Sequence, residues 1–320
     1  MSTDAVRRPT PGVMAPRDLP AAELVPFARA AEQAGFEELW IVEDLGFHGG
    51  VTQAATALAS TSTIRVGLGI LPVATRNVAF AAMELASLAD LFPGRVVAGI
   101  GHGVPTWIRQ VGAWPASPLT LFSEYAAALT ALLRGERVTT DGRYVSLADV
   151  GLESPPATPP PVVAGVRGPK SLAVARDVLD GVVLAEPSAA PYVAQARSAV
   201  GPAARLVVFA FAALDDDGAR ARELVRPLLA GLGDAELSAH VDPLPFAADL
   251  RALRARHASG EWFAADLPDV WVDALTLAGT AADVRARIDD LGAAGADTVV
   301  LIPVGGADAG TPARLAGAVR

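Results

Sequence analysis

Short continuous apolar runs alternate along this chain with longer stretches in which apolar residues recur at helical spacing. The short runs read as strands covered on both faces of a parallel sheet: Leu39–Val42, Ile64–Leu71, Arg95–Gly101, Pro161–Val166, Gly181–Ala185, Arg205–Leu214 and Thr298–Pro303. A first strand is expected near Gly12–Met14, among prolines that weaken its pattern. Helices are expected over Ala21–Ala34, Val51–Ala59, Asn77–Leu91, Leu119–Leu133, Pro169–Leu179, Ala189–Val200, Gly218–Gly231 and Ala281–Leu291. Gly35 and Gly292 are natural stops, and Thr280-x-x-Asp283 is a variant of the capping box. Strands joined by helical crossovers favour a (β/α)8 barrel, the TIM-barrel architecture, over an open doubly wound sheet.

The helix Asn77–Leu91 is apolar nearly all round. Its only charges are Glu84 and Asp90, Asn77 is placed to cap it, and Pro93-Gly94 ends it. Such a helix needs cover on more than one side, so a second copy of the chain is expected against it, making a homodimer. Two segments exceed a minimal barrel. Arg137–Leu147 reads as a β-hairpin turning at Asp141-Gly142. Gly233–Ala278, with Phe246, Trp262, Phe263 and Trp271 among prolines, has only patchy helical period and is either an active-site lid or structural padding. The expected organisation is one domain over residues 1–320, with 233–278 inserted before the last strand.

Composition narrows the partners. The 320 residues are 52% hydrophobic and 19% charged, enough for a large core. A net charge of −9, with Lys170 the sole lysine, argues against nucleic acid and anionic membrane as partners. The absence of cysteine excludes disulfides and thiolate chemistry. No run approaches the ~18 apolar residues of a membrane span, and the first residues lack a signal core, so a cytoplasmic chain is expected. His240 and His257 show no metal-ligand spacing and read as structural, and no metal is expected.

The candidate chemistry lies at strand ends, where a parallel barrel gathers its binding loops. Gly67-Leu68-Gly69-Ile70 and Gly99-Ile100-Gly101-His102-Gly103 let a ligand approach the backbone, although glycines also mark ordinary barrel corners. Gly165-Val166-Arg167-Gly168-Pro169-Lys170-Ser171 runs from a strand into a helix whose free N–H groups suit a phosphate; a generic turn has the same composition. Glu43-Asp44 is either an acid/base or cofactor-binding pair or a solvated acidic surface. His48 is either functional or a loop residue, and His102, between glycines, could donate to a substrate. Trp107 and Trp114 follow in a loop and could wall a flat substrate or pack the core.

Together, ELWIVED, IRVGLGILPVATRN, LASLADLFPGRVVAGIGHG, PPVVAGVRGPKSLAVARDVLDGVVLAEP and GTAADVRARIDDLGAAGADTVVLIP resemble the bacterial luciferase-like superfamily from about Gly12 to Ile302. That group holds flavin-dependent monooxygenases and oxidoreductases that use the deazaflavin coenzyme F-420. The resemblance implies a dimeric (β/α)8 barrel with coenzyme F-420, or alternatively FMN, in the mouth at the strand C-termini. It places a non-prolyl cis peptide at Gly69-Ile70 behind the ring, where a bulky residue at Gly69 would fill the ring site. It places the cofactor phosphate at Gly165–Ser171, and the cofactor-binding set it implies is Glu43, Gly69, Ile70, Gly101, Gly165, Val166, Arg167, Gly168, Pro169 and Ala185. Asp44, His48 and His102 are the catalytic candidates. The family often has histidine after the acidic residue, where this chain has Asp44, and the sugar-phosphate dehydrogenases' glutamate aligns near Val104, so that proton donor is absent. The implied activity is hydride transfer between F-420 and a small organic substrate. The alternatives are an FMNH2-dependent monooxygenase using O2, a non-catalytic flavin-binding protein, and a barrel lyase or isomerase holding a phosphorylated substrate at Gly168.

Overall fold

The computed structural model describes residues 8–319. Eight parallel strands close into a barrel: β1 (Thr10–Ala15), β2 (Glu38–Ile41), β3 (Arg65–Pro72), β4 (Val96–Gly101), β7 (Val162–Gly165), β8 (Gly181–Leu184), β9 (Arg205–Leu214) and β11 (Thr298–Pro303). The ring closes where β1 pairs with β11 and β8 with β9. The intervening β5 (Val138–Asp141) and β6 (Ser146–Val150) form the antiparallel hairpin outside the barrel. A short strand with no counterpart in the sequence pattern, β10 (Leu277–Gly279), pairs with Ala212–Leu214 of β9 on the edge that β8 leaves after Val208.

Alternate strand residues point inward. Met14, Trp40, Val97, Val163, Val183, Val207, Phe209 and Val300 fill the interior. Trp40 fits because Gly67 faces it: a Cβ there would lie 2.5 Å from the indole. Its ring meets Phe209 edge-on at 5.3 Å. At the N-terminal end of the strands Glu38, 1% exposed, accepts the Trp40 indole N–H at 3.0 Å. The same carboxylate pairs with Arg65 at 3.0 Å and with Arg205, which also donates to Thr298 Oγ1 at 3.1 Å. An ionic plug therefore closes the barrel's lower end.

Helices cover the outside. In the helix Val78–Leu91, Asn77 accepts the Ala79 N–H at 3.0 Å as its cap. One face of this helix is buried, where it packs against the helix Pro118–Leu133, and Phe80, Met83 and Leu91 stay 67, 52 and 70% exposed. The Thr280/Asp283 capping box is present at the start of Ala281–Ala293. Two expectations are corrected. The helix expected over Gly218–Gly231 stops at Val225 and continues as a 3-10 turn over Arg226–Leu229, because Pro227 has no N–H to extend the ladder. Trp107 lies not in a loop but on a helix, Pro105–Gln110, too short to show a period.

Residues beyond the Arg226–Leu229 turn form short helices, Ser238–Val241, Ala247–Ala255, Gly260–Ala265 and Asp269–Leu275. They share a second core in which Leu229, Leu232, Val241, Leu250, Phe263 and Val272 are buried. Each helix gives this core only one or two turns, which explains the patchy period in the sequence.

Candidate active site

A cleft of about 1340 Å3 opens at the C-terminal ends of the barrel strands. Its floor includes Gly69 and Ile70, joined by a cis peptide at a break in the β3–β4 register between Leu68 and Leu71. Three glycines seat the Ile70 side chain. A Cβ at Gly99, Gly101 or Gly165 would come within 3.1, 3.2 or 2.7 Å of it, and at Gly99 would also sit 2.0 Å from the Leu68 carbonyl. Gly101 thus supports the floor from beneath and is outside the cleft lining. A Cβ at Gly69 would meet Phe209 at 2.8 Å and Trp40 at 3.0 Å. A larger side chain there would therefore strike the barrel interior rather than fill the space above the floor, which corrects the expectation from sequence.

The loop after β2 forms one wall. Glu43 is held by a bidentate pair with Arg76, whose Nη2 donates at 2.9 Å, and accepts the Gly50 N–H at 2.8 Å. This pairing raises the Arg76 pKa further above its ordinary value. Asp44 accepts from Arg17 at 3.2 Å, and the Arg17 guanidinium lies over the rings of Phe47 and Trp107 at 5.1 and 6.0 Å. Glu43, Asp44 and the exposed His48 all line the cleft.

On the opposite wall Gly165, Val166 and Arg167 line the cleft, whereas Gly168 and Pro169 lie just outside it. The helix Pro169–Val178 starts there, and the amides of Lys170 and Ser171 in its first turn have no partner among the described residues. Those donors and the Arg167 guanidinium fit a phosphate group. Ala185 lines the cleft after β8.

His102 does not line the cleft. Its Nε2 shares a hydrogen bond with Ser171 Oγ at 3.1 Å, and its ring lies 5.0 Å from that of Phe122. Burial lowers its pKa, and its buried Nδ1 has no partner among the described residues. The physical reason for its displacement is strand alternation: Val97, Gly99 and Gly101 face inward, whereas Ala98 and Ile100 pack in the outer core, so His102 falls on the side that meets the helices. His102 therefore braces the start of the helix Pro169–Val178. Trp107 lines the cleft; Trp114 is outside the lining and packs under Arg109 at 4.7 Å. His257 pairs with Asp266 at 3.2 Å.

Sequence reasoning missed Arg17, Arg76 and Glu186, all of which line the cleft. Each closely follows an apolar barrel strand, a signal available from strand ends alone. Glu186 is partly buried, and burial raises its pKa. Leu237, from the segment beyond β9, also reaches the cleft wall.

A family model described as luciferase-like monooxygenase matches residues 4–298. The chain is 31% identical over 287 residues to a 5,10-methylenetetrahydromethanopterin reductase of Methanolobus tindarius, covering 85% of this chain and 87% of that one. It is 30% identical over 284 residues to an F-420-dependent glucose-6-phosphate dehydrogenase of Beutenbergia cavernae, covering 81 and 83%. Among solved structures, the coenzyme F-420-dependent tetrahydromethanopterin reductase of Methanopyrus kandleri superposes with a TM-score of 0.79 at 20% identity over 97 and 98% of the two chains, a likeness of fold.

Proposed function

The chain belongs to the luciferase-like monooxygenase family, and from that premise we propose that it is an oxidoreductase moving hydride between coenzyme F-420 and a small organic substrate. The observation that carries this reading is the cleft itself: a floor at Gly69-Ile70, bordered by Gly165 and Val166, leading to Arg167 and the open amides of the next helix. The similarity over 81% of this chain to a glucose-6-phosphate dehydrogenase named for F-420 supports it. When bound, the coenzyme supplies or accepts the hydride at its deaza carbon. The chain's residues do the rest. Ile70 backs the ring, Arg167 and the amides of Lys170 and Ser171 hold the phosphate, and the Glu43–Arg76 pair keeps the loop after β2 in place. Asp44 and His48 face the cleft from that loop. The lack of cysteine, and of any helix long and apolar enough to cross a membrane among the described residues, fits work in the cytoplasm.

Titrating the protein with F-420 and FMN, each oxidised and reduced, tests the assignment. F-420 should bind at micromolar concentration or below, and Arg167→Ala should weaken it about tenfold by removing one charge-assisted phosphate contact. Binding of FMN with no affinity for F-420 would instead indicate a flavin monooxygenase or flavin-binding protein.

The exposed stripe Phe80, Met83 and Leu91 supports a homodimer in which a second copy covers this helix. Light scattering should give twice 32.7 kDa. The double change Phe80→Glu and Met83→Glu should give the monomer mass with the circular dichroism unchanged. A wild-type monomer at micromolar concentration would refute this arrangement.

A further inference from the structure

We propose that Glu186 is the acid of this cleft and that it protonates the carbonyl oxygen of an uncharged, predominantly apolar substrate as hydride arrives at the carbonyl carbon. The inference rests on the F-420 reading above. It starts from the distribution of charge around the cleft. Glu43 and Asp44 each hold a guanidinium, from Arg76 and Arg17, and Asp18 sits exposed at the rim. Glu186 holds no guanidinium. Among the described residues its carboxyl receives a hydrogen bond only from its own backbone N–H. Arg167, the remaining cation of the lining, reaches the Glu236 carbonyl at 3.4 Å.

The segment that carries Glu186 is held on both sides. Ser188 Oγ donates to the Ala185 carbonyl at 3.0 Å, and His240 Nδ1 binds the Pro187 carbonyl at 2.8 Å. The carboxyl thus enters the cleft from a braced turn directly after a barrel strand. The charged groups facing it are Arg167, Asp44 and Arg17, with the cations favouring ionisation and Asp44 opposing it. Burial outweighs them and raises its pKa above the ordinary carboxylate range. A protonated carboxyl is an O–H donor, which neither of the arginine-held carboxylates is.

The mouth defines the substrate. Leu45, Phe47, Val104, Val111 and Leu228 line the cleft and remain 44, 47, 40, 49 and 45% exposed. Large side chains left in water around one opening suit an apolar ligand, and with Arg17 and Arg76 both paired the lining offers a second phosphate little. The step balances. The carbonyl carbon gains hydride from reduced F-420, the C=O π pair takes the Glu186 proton, and an alcohol forms. Oxidation of the coenzyme releases one proton to solvent, and solvent returns one to the Glu186 carboxylate.

The test uses wild type, Glu186→Gln and Glu186→Asp with F-420 and a panel of cyclohexanone, cyclohexenone, 2-decanone and glucose 6-phosphate. The ketones should turn over and the sugar phosphate should not. Glu186→Gln should bind F-420 within threefold of wild type but lose about 10²–10³-fold in kcat together with the alkaline limb of the pH profile, and Glu186→Asp should recover part of both. A readout independent of turnover is the melting temperature without coenzyme. A carboxyl whose pKa is raised by folding loses stability as pH climbs from its unfolded to its folded pKa. The advantage of Glu186→Gln over wild type should therefore widen by about 2 °C or more from pH 4 to pH 8. A constant gap, or a kcat within threefold of wild type, overturns the acid role. Turnover of the sugar phosphate alone, or of no ketone, overturns the substrate class. Failure of the wild type to bind F-420 overturns the functional reading and this proposal with it.

Discussion

Replacing Glu38 by alanine should lower the unfolding free energy by about 3–5 kcal/mol, the usual cost of removing one partner from a buried ionic cluster. The carboxylate is 1% exposed and serves Arg65, Arg205 and the Trp40 indole N–H together. Its loss leaves Arg205 with no carboxylate among the described residues, Arg65 with only Glu37 at 3.6 Å, and the Trp40 indole donor unmet inside the base of the barrel. Glu38→Gln keeps an acceptor for Trp40 but removes the buried charge that both cations face, so it should lose most of the same stability. Urea unfolding should show a lower midpoint at an unchanged slope, since the surface exposed on unfolding is the same. A loss below about 1 kcal/mol would mean that Arg65 and Arg205 regain solvent through their partly exposed ends. The site should register the change as well, because Trp40 packs beneath Gly67 and Gly69.

That cluster illustrates what the sequence made legible and what it did not. The barrel strands stand out because both of their faces are buried, so every position is apolar and the period disappears. Glu38 breaks this rule at the start of β2, and the apolar pattern accordingly begins at Leu39. Its partner Arg205 lies 167 positions away, a pairing no local pattern carries. The glycines at 99, 101 and 165 were visible as glycines, but the reason for them is the Ile70 side chain. β10 is too short to read, and it exists because β9 outruns β8. In the cleft, positions at strand ends were correctly sought, yet the acidic pair Glu43-Asp44 drew attention whereas the arginines that hold it did not. His102 stood between glycines beside the floor, but it follows Ala98 and Ile100 on the helix-facing side of β4, which leaves it outside the cleft.

Acid should loosen the segment beyond β9 through His240, and the window follows from its environment. The imidazole is 1% exposed, with Nδ1 bound to the Pro187 carbonyl at 2.8 Å and its ring 4.6 Å from that of Tyr192. Burial pushes its pKa down to about 4, and the nearby Arg167 charge acts in the same direction. A histidine whose folded pKa lies below its unfolded value, ~6.5, contributes stability that is fully present above pH ~6.5. That contribution is lost as pH falls towards about 4. Integrated over this window it is on the order of 3 kcal/mol. His240→Leu keeps much of the buried volume and removes the titration. At pH 7 it should be less stable than wild type by about 1 kcal/mol, having lost the hydrogen bond to Pro187. At pH 4.5 the order should reverse, with the difference moving by about 2–3 kcal/mol in favour of the variant. Carboxylates titrate equally in both proteins and cancel from the comparison. A difference independent of pH would show that water reaches the imidazole. Because His240 holds the carbonyl next to Glu186, hydrogen exchange in residues 185–189 and 235–241 should rise together in wild type over the same window and stay level in the variant.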